Sequence, residues 1–173
     1  MKQKIEYKFF TILEYEKEAQ YLREMHKKGY KLNCVDFQIR YVFDECEKED
    51  VIYALDYQND VTYDSLEYLT MYQDLGWELI QISYGFVYFR KSVKDMTSDE
   101  TIFSDDESKK EMLKRVFVGR GIGVITTSML VVLPNLIRNI AEGNVFFSVI
   151  FAMFLVIEIP LFIKFYKTYK NFK

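Results

Sequence analysis

Tyr21-Leu-Arg-Glu-Met-His-Lys-Lys-Gly-Tyr-Lys-Leu32 is answered 47 residues later by Tyr68-Leu-Thr-Met-Tyr-Gln-Asp-Leu-Gly-Trp-Glu-Leu79, and this recurrence decides how the first half of the chain folds. Tyr21-Leu22 returns as Tyr68-Leu69, Gly29-Tyr30 as Gly76-Trp77, Leu32 as Leu79 and, farther on, Tyr41 as Tyr88. Apolar residues before each glycine stand three and four apart, the spacing of one helix face. The first helix is expected over Tyr15 to Lys28, with Ala19, Leu22 and Met25 inward and Tyr21 at the margin of the stripe. The second is expected over Tyr63 to Leu75, with Leu66, Leu69 and Tyr72 or Gln73 on the matching face. Gly29 and Gly76 supply the left-handed residue that closes such helices.

Alternation places strands at Ile5 to Phe10, Tyr30 to Phe37, Ile39 to Glu45, Val51 to Tyr57, Trp77 to Ser83 and Phe86 to Arg90, with Tyr84-Gly85 as a hairpin turn. Two βαββ units, about 5–46 and 51–91, result. The expected fold class is α+β, a ferredoxin-like sandwich with a largely antiparallel sheet and both helices on one face. The opposite sheet face is then free. Tyr and Phe make up 29 of 173 residues. Two readings of them stay open: aromatics on the free face, where a protein partner or small ligand would bind, or aromatics placed simply because they suit strands and interfaces.

The net charge of −3 conceals an asymmetry. Residues 1–108 carry 13 Lys and Arg against 23 Asp and Glu, net −10, whereas residues 109–173 carry 10 against 3, net +7. An acidic module repels a phosphate backbone, so no nucleic acid is expected as partner. The beginning, Met1-Lys-Gln-Lys-Ile-Glu-Tyr-Lys8, lacks the apolar core of a secretion signal. Cys34 and Cys46 are the only cysteines and read as reduced structural thiols on separate strands of a cytosolic domain.

The basic back half is also strongly apolar. Gly121 to Ile137 carries no charge, and extension to Val116 adds only Arg120; the resulting 22 residues reach about 33 Å as helix, against a hydrocarbon core of about 30 Å. Val145 to Ile163 is a second such segment, with Glu158 its one charge. The connector Arg138-Asn-Ile-Ala-Glu-Gly-Asn144 is short, so a two-helix transmembrane hairpin in the lipid bilayer is expected. Lys109, Lys110, Lys114 and Arg115 precede it and Lys164, Lys167, Lys170 and Lys173 follow it, which puts both termini on the cytoplasmic side of a multi-pass cell-membrane protein. The expected organisation is a cytoplasmic α+β domain (1–92), a polar linker (93–104), a basic juxtamembrane helix (105–115), a first transmembrane helix (116–138), a loop (139–144), a second transmembrane helix (145–165) and a basic tail (166–173).

Several residues are singled out. Ser104 and Glu107 have the S-x-x-E spacing of a capping box at the start of the first membrane helix. Gly119 and Gly123 have the small-x-x-x-small spacing that allows close helix packing, within the hairpin or in a homodimer. Counting back from a turn near Ala141 brings Glu158 close to Arg120, so an ion pair between them is expected, because an unpaired charge in a bilayer is costly. His26 falls on the charged side of the first helix and is expected at the surface. The run Asp44-Glu-Cys-Glu-Lys-Glu-Asp50 lacks the ligand spacing of a calcium loop and reads as a solvated turn. No nucleophile with a base, no phosphate-binding glycine loop and no metal-ligand spacing is found, so neither catalytic activity nor a cofactor is expected.

Taken in order, Phe9-Phe10 with Glu16-Lys17-Glu18, Met25-His-Lys-Lys-Gly-Tyr-Lys-Leu32, Gly76-Trp-Glu-Leu79, Tyr88-Phe-Arg-Lys91 and Ile102-Phe-Ser-Asp-Asp-Glu-Ser-Lys109 resemble the bacterial family catalogued as domain of unknown function 2812, across about residues 7–115. The resemblance implies a soluble module before one or more C-terminal membrane helices, occurrence mostly in Firmicutes, and genes beside PadR-type transcriptional regulators. It carries over no catalytic residue. The function expected is a non-enzymatic, membrane-anchored binding or sensing module linked to such a regulator; the alternative is a small transport or export accessory using Arg120 and Glu158.

Overall fold

The computed structural model describes residues 3–58, 60–96 and 106–171 and divides into two units, Met1–Ser108 and Lys109–Lys173. The first unit holds β1 (Gln3–Tyr7), α1 (Tyr15–Lys27), β2 (Tyr30–Asp36), β3 (Arg40–Glu45), β4 (Val51–Tyr57), α2 (Leu66–Asp74), β5 (Glu78–Ser83) and β6 (Phe86–Ser92). The α+β class and the two βαββ units are as expected. The six strands do not join into one ladder. Each repeat forms its own three-stranded antiparallel sheet, ordered β1-β3-β2 and β4-β6-β5.

Both helices end as their glycines dictate. Gly29 (φ +92°) and Gly76 (φ +79°) are left-handed, and their N–H groups donate to His26 O and Gln73 O, each at 2.8 Å. The second helix begins three residues later than expected, because the Thr62 N–H is held by Ser65 Oγ at 3.1 Å in a turn. Leu66 consequently sits in the first helical residue and is exposed, while Leu69 and Tyr72 are buried as expected.

The repeat has one interruption, and it matters. Both hairpins carry a bulge at the same place, between Leu32 and Cys34 and between Leu79 and Gln81. Asp36 pairs with Arg40 across three residues, whereas Ser83 pairs with Phe86 across two. Ile39 is thus an insertion, after which equivalent positions are 46 apart: Phe43 corresponds to Phe89 and Tyr41 to Val87. A one-residue slip exchanges the faces of a strand. Tyr41 therefore faces its own helix α1, whereas Tyr88, its match in sequence, faces away from α2.

Tyr88 is buried nonetheless, because α1 packs against both β2 and β4 and so lies between the two sheets. On its far side, the second sheet packs Val87 and Phe89 with Trp77 and with Leu69 and Tyr72 of α2. A side chain bridges the β2 and β5 edges: Gln81 accepts from Val35 N–H at 2.7 Å and donates to Val35 O at 3.0 Å, imitating a strand neighbour. Both faces of the second sheet are covered. Among the described residues, the outer face of the first sheet keeps Ile5 and Tyr7 exposed, although Val42 at its centre is buried, and this replaces the free side expected of a six-stranded sheet.

The rest of the chain, beginning just ahead of the unit boundary at Ser108, contains α3 (Asp106–Val116), α4 (Ile122–Thr127) and α5 (Leu133–Ala141), joined by π-helical turns at Phe117–Gly121 and Ser128–Val132, and then α6 (Val145–Asn171). Two helical spans in it, Glu107–Ala141 and Val145–Lys164, are long and apolar enough to cross a membrane. At 35 residues the first would extend about 52 Å, well beyond a hydrocarbon core of about 30 Å.

Candidate functional site

Register defines the free face residue by residue. Ile5 pairs with Val42 and Val42 with Cys34; Tyr7 pairs with Arg40 and Arg40 with Asp36; Gln3 pairs with Asp44. These side chains alternate with Tyr41 and Phe43, which turn inward. Tyr7 is 70% exposed and Ile5 46%. Polar groups frame them: Arg40 is ion-paired with Asp36, and Asp44 accepts from Asn33 Nδ2 at 2.6 Å and Gln3 Nε2 at 3.2 Å. The Asn33 hydrogen bond, ahead of that from Gln3, holds the Asp44 carboxyl below its usual range. Between these polar groups Ile5 and Tyr7 are exposed, and Val42 beside them is buried. Most strand aromatics lie elsewhere, since Tyr41, Phe43, Tyr53, Tyr57, Phe86, Tyr88 and Phe89 are all buried.

Inside, α1 carries a polar seam that sequence reasoning missed. Its buried residues are Tyr15, Glu18, Leu22, Met25 and His26, one stripe at helical spacing with two polar members. Glu18 Oε1 accepts from Tyr41 Oη at 2.7 Å and Tyr88 Oη at 3.0 Å, joining both sheets to the helix. Burial raises the Glu18 pKa, and the two tyrosine hydrogen bonds oppose that rise. Each repeat also places a tyrosine of its helix on a carboxylate of its first strand: Tyr21 Oη donates to Glu6 at 2.7 Å, and Tyr68 Oη to Asp56 at 2.8 Å.

His26 is a correction to the surface position expected for it. It is buried, with Nδ1 2.8 Å from Tyr53 Oη. Leu32 N–H donates to that same oxygen at 3.3 Å, so one phenol oxygen serves both a strand amide of the first sheet and the imidazole of α1. Burial first, and then the positive charge of Arg90, lower the His26 pKa. The expectation failed because β4 of the second repeat covers this side of α1, a contact no local pattern encodes.

The carboxylate run is likewise more than a solvated turn. Asp50 accepts from Arg23 Nε at 2.6 Å and Nη2 at 2.7 Å and lies 3.4 Å from Lys27 Nζ, while Glu49 accepts from Ser92 Oγ at 2.8 Å. Among the described residues no three His, Cys, Asp or Glu side chains are grouped closely enough to hold a metal ion.

In the apolar hairpin, Glu158 is hydrogen-bonded by Ser128 Oγ, from the first residue of the second π-helical turn. The side chain of Arg120, its expected partner, lies outside the described residues, as does Ser104 of the expected cap; Glu107 is exposed in the first turn of α3. Gly119 is exposed, and a Cβ placed on Gly123 would meet no heavy atom within 4 Å, so Gly123 is not used for packing within this chain. Phe117 and Phe162 bring the helices together with ring centroids 5.8 Å apart. Thr126, Thr127, Asn135 and Asn139 each donate to the carbonyl four residues earlier, satisfying their polar groups within the helix.

A family model described as a protein of unknown function (DUF2812) matches residues 14–124, from the start of α1 into α4. No curated protein and no solved structure matches the chain.

Proposed function

The chain belongs to the DUF2812 family of proteins of unknown function, and from that premise we propose that it is a non-enzymatic, membrane-anchored binding module. The two apolar helices act as the anchor, with both termini cytoplasmic because basic residues flank the hairpin on that side. The outer face of the first sheet is the working surface. The observation that carries this reading is that face itself: among the described residues Ile5 and Tyr7 remain exposed on it between oriented polar groups, while α1 and α2 pack against the two faces of the second sheet. The partner to which the earlier resemblance points is a PadR-type regulator, with the module reporting membrane state to it. The test is recovery of detergent-solubilised wild type and Tyr7→Ala protein with cross-linked partners, alongside thermal shift against small-molecule libraries. A partner or ligand recognised by the wild type and lost in the variant supports the proposal; equal behaviour of the two proteins removes it.

The hydrogen bond of Ser128 to Glu158 favours a second reading, a transport or export accessory in which Glu158 and Arg120 act within the membrane. Unchanged transport-linked growth with Glu158→Gln and Arg120→Leu together would eliminate it.

A further inference from the structure

We propose that Phe9, Phe37 and Ile39 form a lipid-contact rim at one end of the first sheet, which rests the module on the bilayer surface; this presumes the anchoring proposed above. The three residues belong to one edge. Lys8 N–H donates to Ile39 O at 2.9 Å, and Tyr7 with Arg40 closes the ladder beside them. Phe9 is 74% exposed, Phe37 75% and Ile39 42%. Phe10, by contrast, turns inward against the rings of Tyr21 and Tyr41.

Phe37 and Gln38 are both left-handed, with φ +50° and +58°, a conformation L-residues with bulky side chains adopt reluctantly. Folding recovers little of that cost for Phe37, because its ring stays in solvent. A surface that receives the ring would recover it.

Charge selects the occupant. The first 108 residues carry 23 acids against 13 bases, so an anionic surface repels most of the module. At the rim Arg40 and Asp36 neutralise one another in an ion pair and Lys8, whose ammonium lies 5.6 Å from the Tyr21 ring centroid, adds one positive charge, so this end lacks the acidic excess of the module. Aromatic and aliphatic side chains without an excess of acid are what an interfacial contact requires. Chain length supplies the rest. Residues 97–105 number nine, at most about 32 Å when extended, so a module tethered to membrane helices experiences lipid at a high effective concentration. Three apolar side chains then suffice where an untethered protein would not remain bound.

The test uses full-length protein in nanodiscs of phosphatidylcholine and phosphatidylglycerol, with or without bromine on the acyl chains. Phe37→Trp and Phe9→Trp report the rim, Tyr84→Trp the exposed hairpin tip of the second sheet, and buried Trp77 a constant background removed by subtracting the wild type. Blue-shifted emission with loss of intensity in brominated discs is expected for Trp at 37 and 9 but not at 84. If both rim variants are quenched no more than the Tyr84→Trp control while the protein co-elutes with the discs, the rim is overturned and the anchor stands. If the protein does not co-elute, the anchor falls and the rim with it.

Discussion

Glu18 and His26 are both on the buried stripe of α1, yet pH acts on them in opposite directions. The folded-state pKa of His26 lies below its unfolded value of about 6.5. Its contribution is therefore intact above about pH 6.5 and declines as pH falls, because the unfolded chain binds the proton more readily. Glu18 is shifted upward from about 4.5. Its contribution is intact below that value and declines as pH rises through the raised pKa. Wild type is expected to lose thermal stability on acidification below pH 6.5, with Glu18 partly offsetting the loss. Glu18→Gln should steepen the acid decline and His26→Asn should flatten it, as read from melting temperature against pH; identical profiles for the three proteins would show that neither group is coupled to folding. Tyr53→Phe should cost about 1–3 kcal/mol in the same melts, since it deprives Leu32 N–H and His26 of one shared oxygen.

At the scale of elements, two joints carry the module. Gln81 bridges the β2 and β5 edges through both backbone groups of Val35. Gln81→Ala should leave the Val35 amide without its acceptor and accelerate its hydrogen exchange, with a stability cost of about 1–3 kcal/mol. If exchange at Val35 is unchanged, the sheets hold together by packing alone. The β5–β6 turn is the second joint. Gly85 has φ +80°, and a Cβ there would stand 2.9 Å from Tyr57 Cε2. Gly85→Ala should destabilise by at least about 1–2 kcal/mol by calorimetry, combining left-handed strain with the ring clash. Gln38→Gly, in the corresponding turn of the other repeat, should have the opposite sign.

For the whole molecule, the membrane reading makes a topological prediction. Glu142→Cys, in the connector, should react with an impermeant maleimide on intact cells, while Lys170→Cys should react only after permeabilisation; the reverse pattern would invert the proposed orientation. The sequence by itself determined the order of strands and helices, the glycine ends, the βαββ repeat and the two apolar spans, because periodicity, turn chemistry and hydropathy are local properties written in neighbouring residues; the ends of β1, at Gln3–Tyr7 rather than Ile5 to Phe10, and the start of α2 were not among them. It also determined family membership through motifs in order. Only the tertiary structure decided that the strands form two sheets, that α1 lies between them, that Ile39 shifts the later half of the repeat and that Ile5 and Tyr7 stay exposed on the outer face of the first sheet. Glu18 and His26 illustrate the reason. Each is polar, and each is buried by strands distant in sequence whose tyrosines supply the hydrogen bonds that make burial tolerable. Whether a polar residue has such a partner depends on which distant segments the fold brings to it.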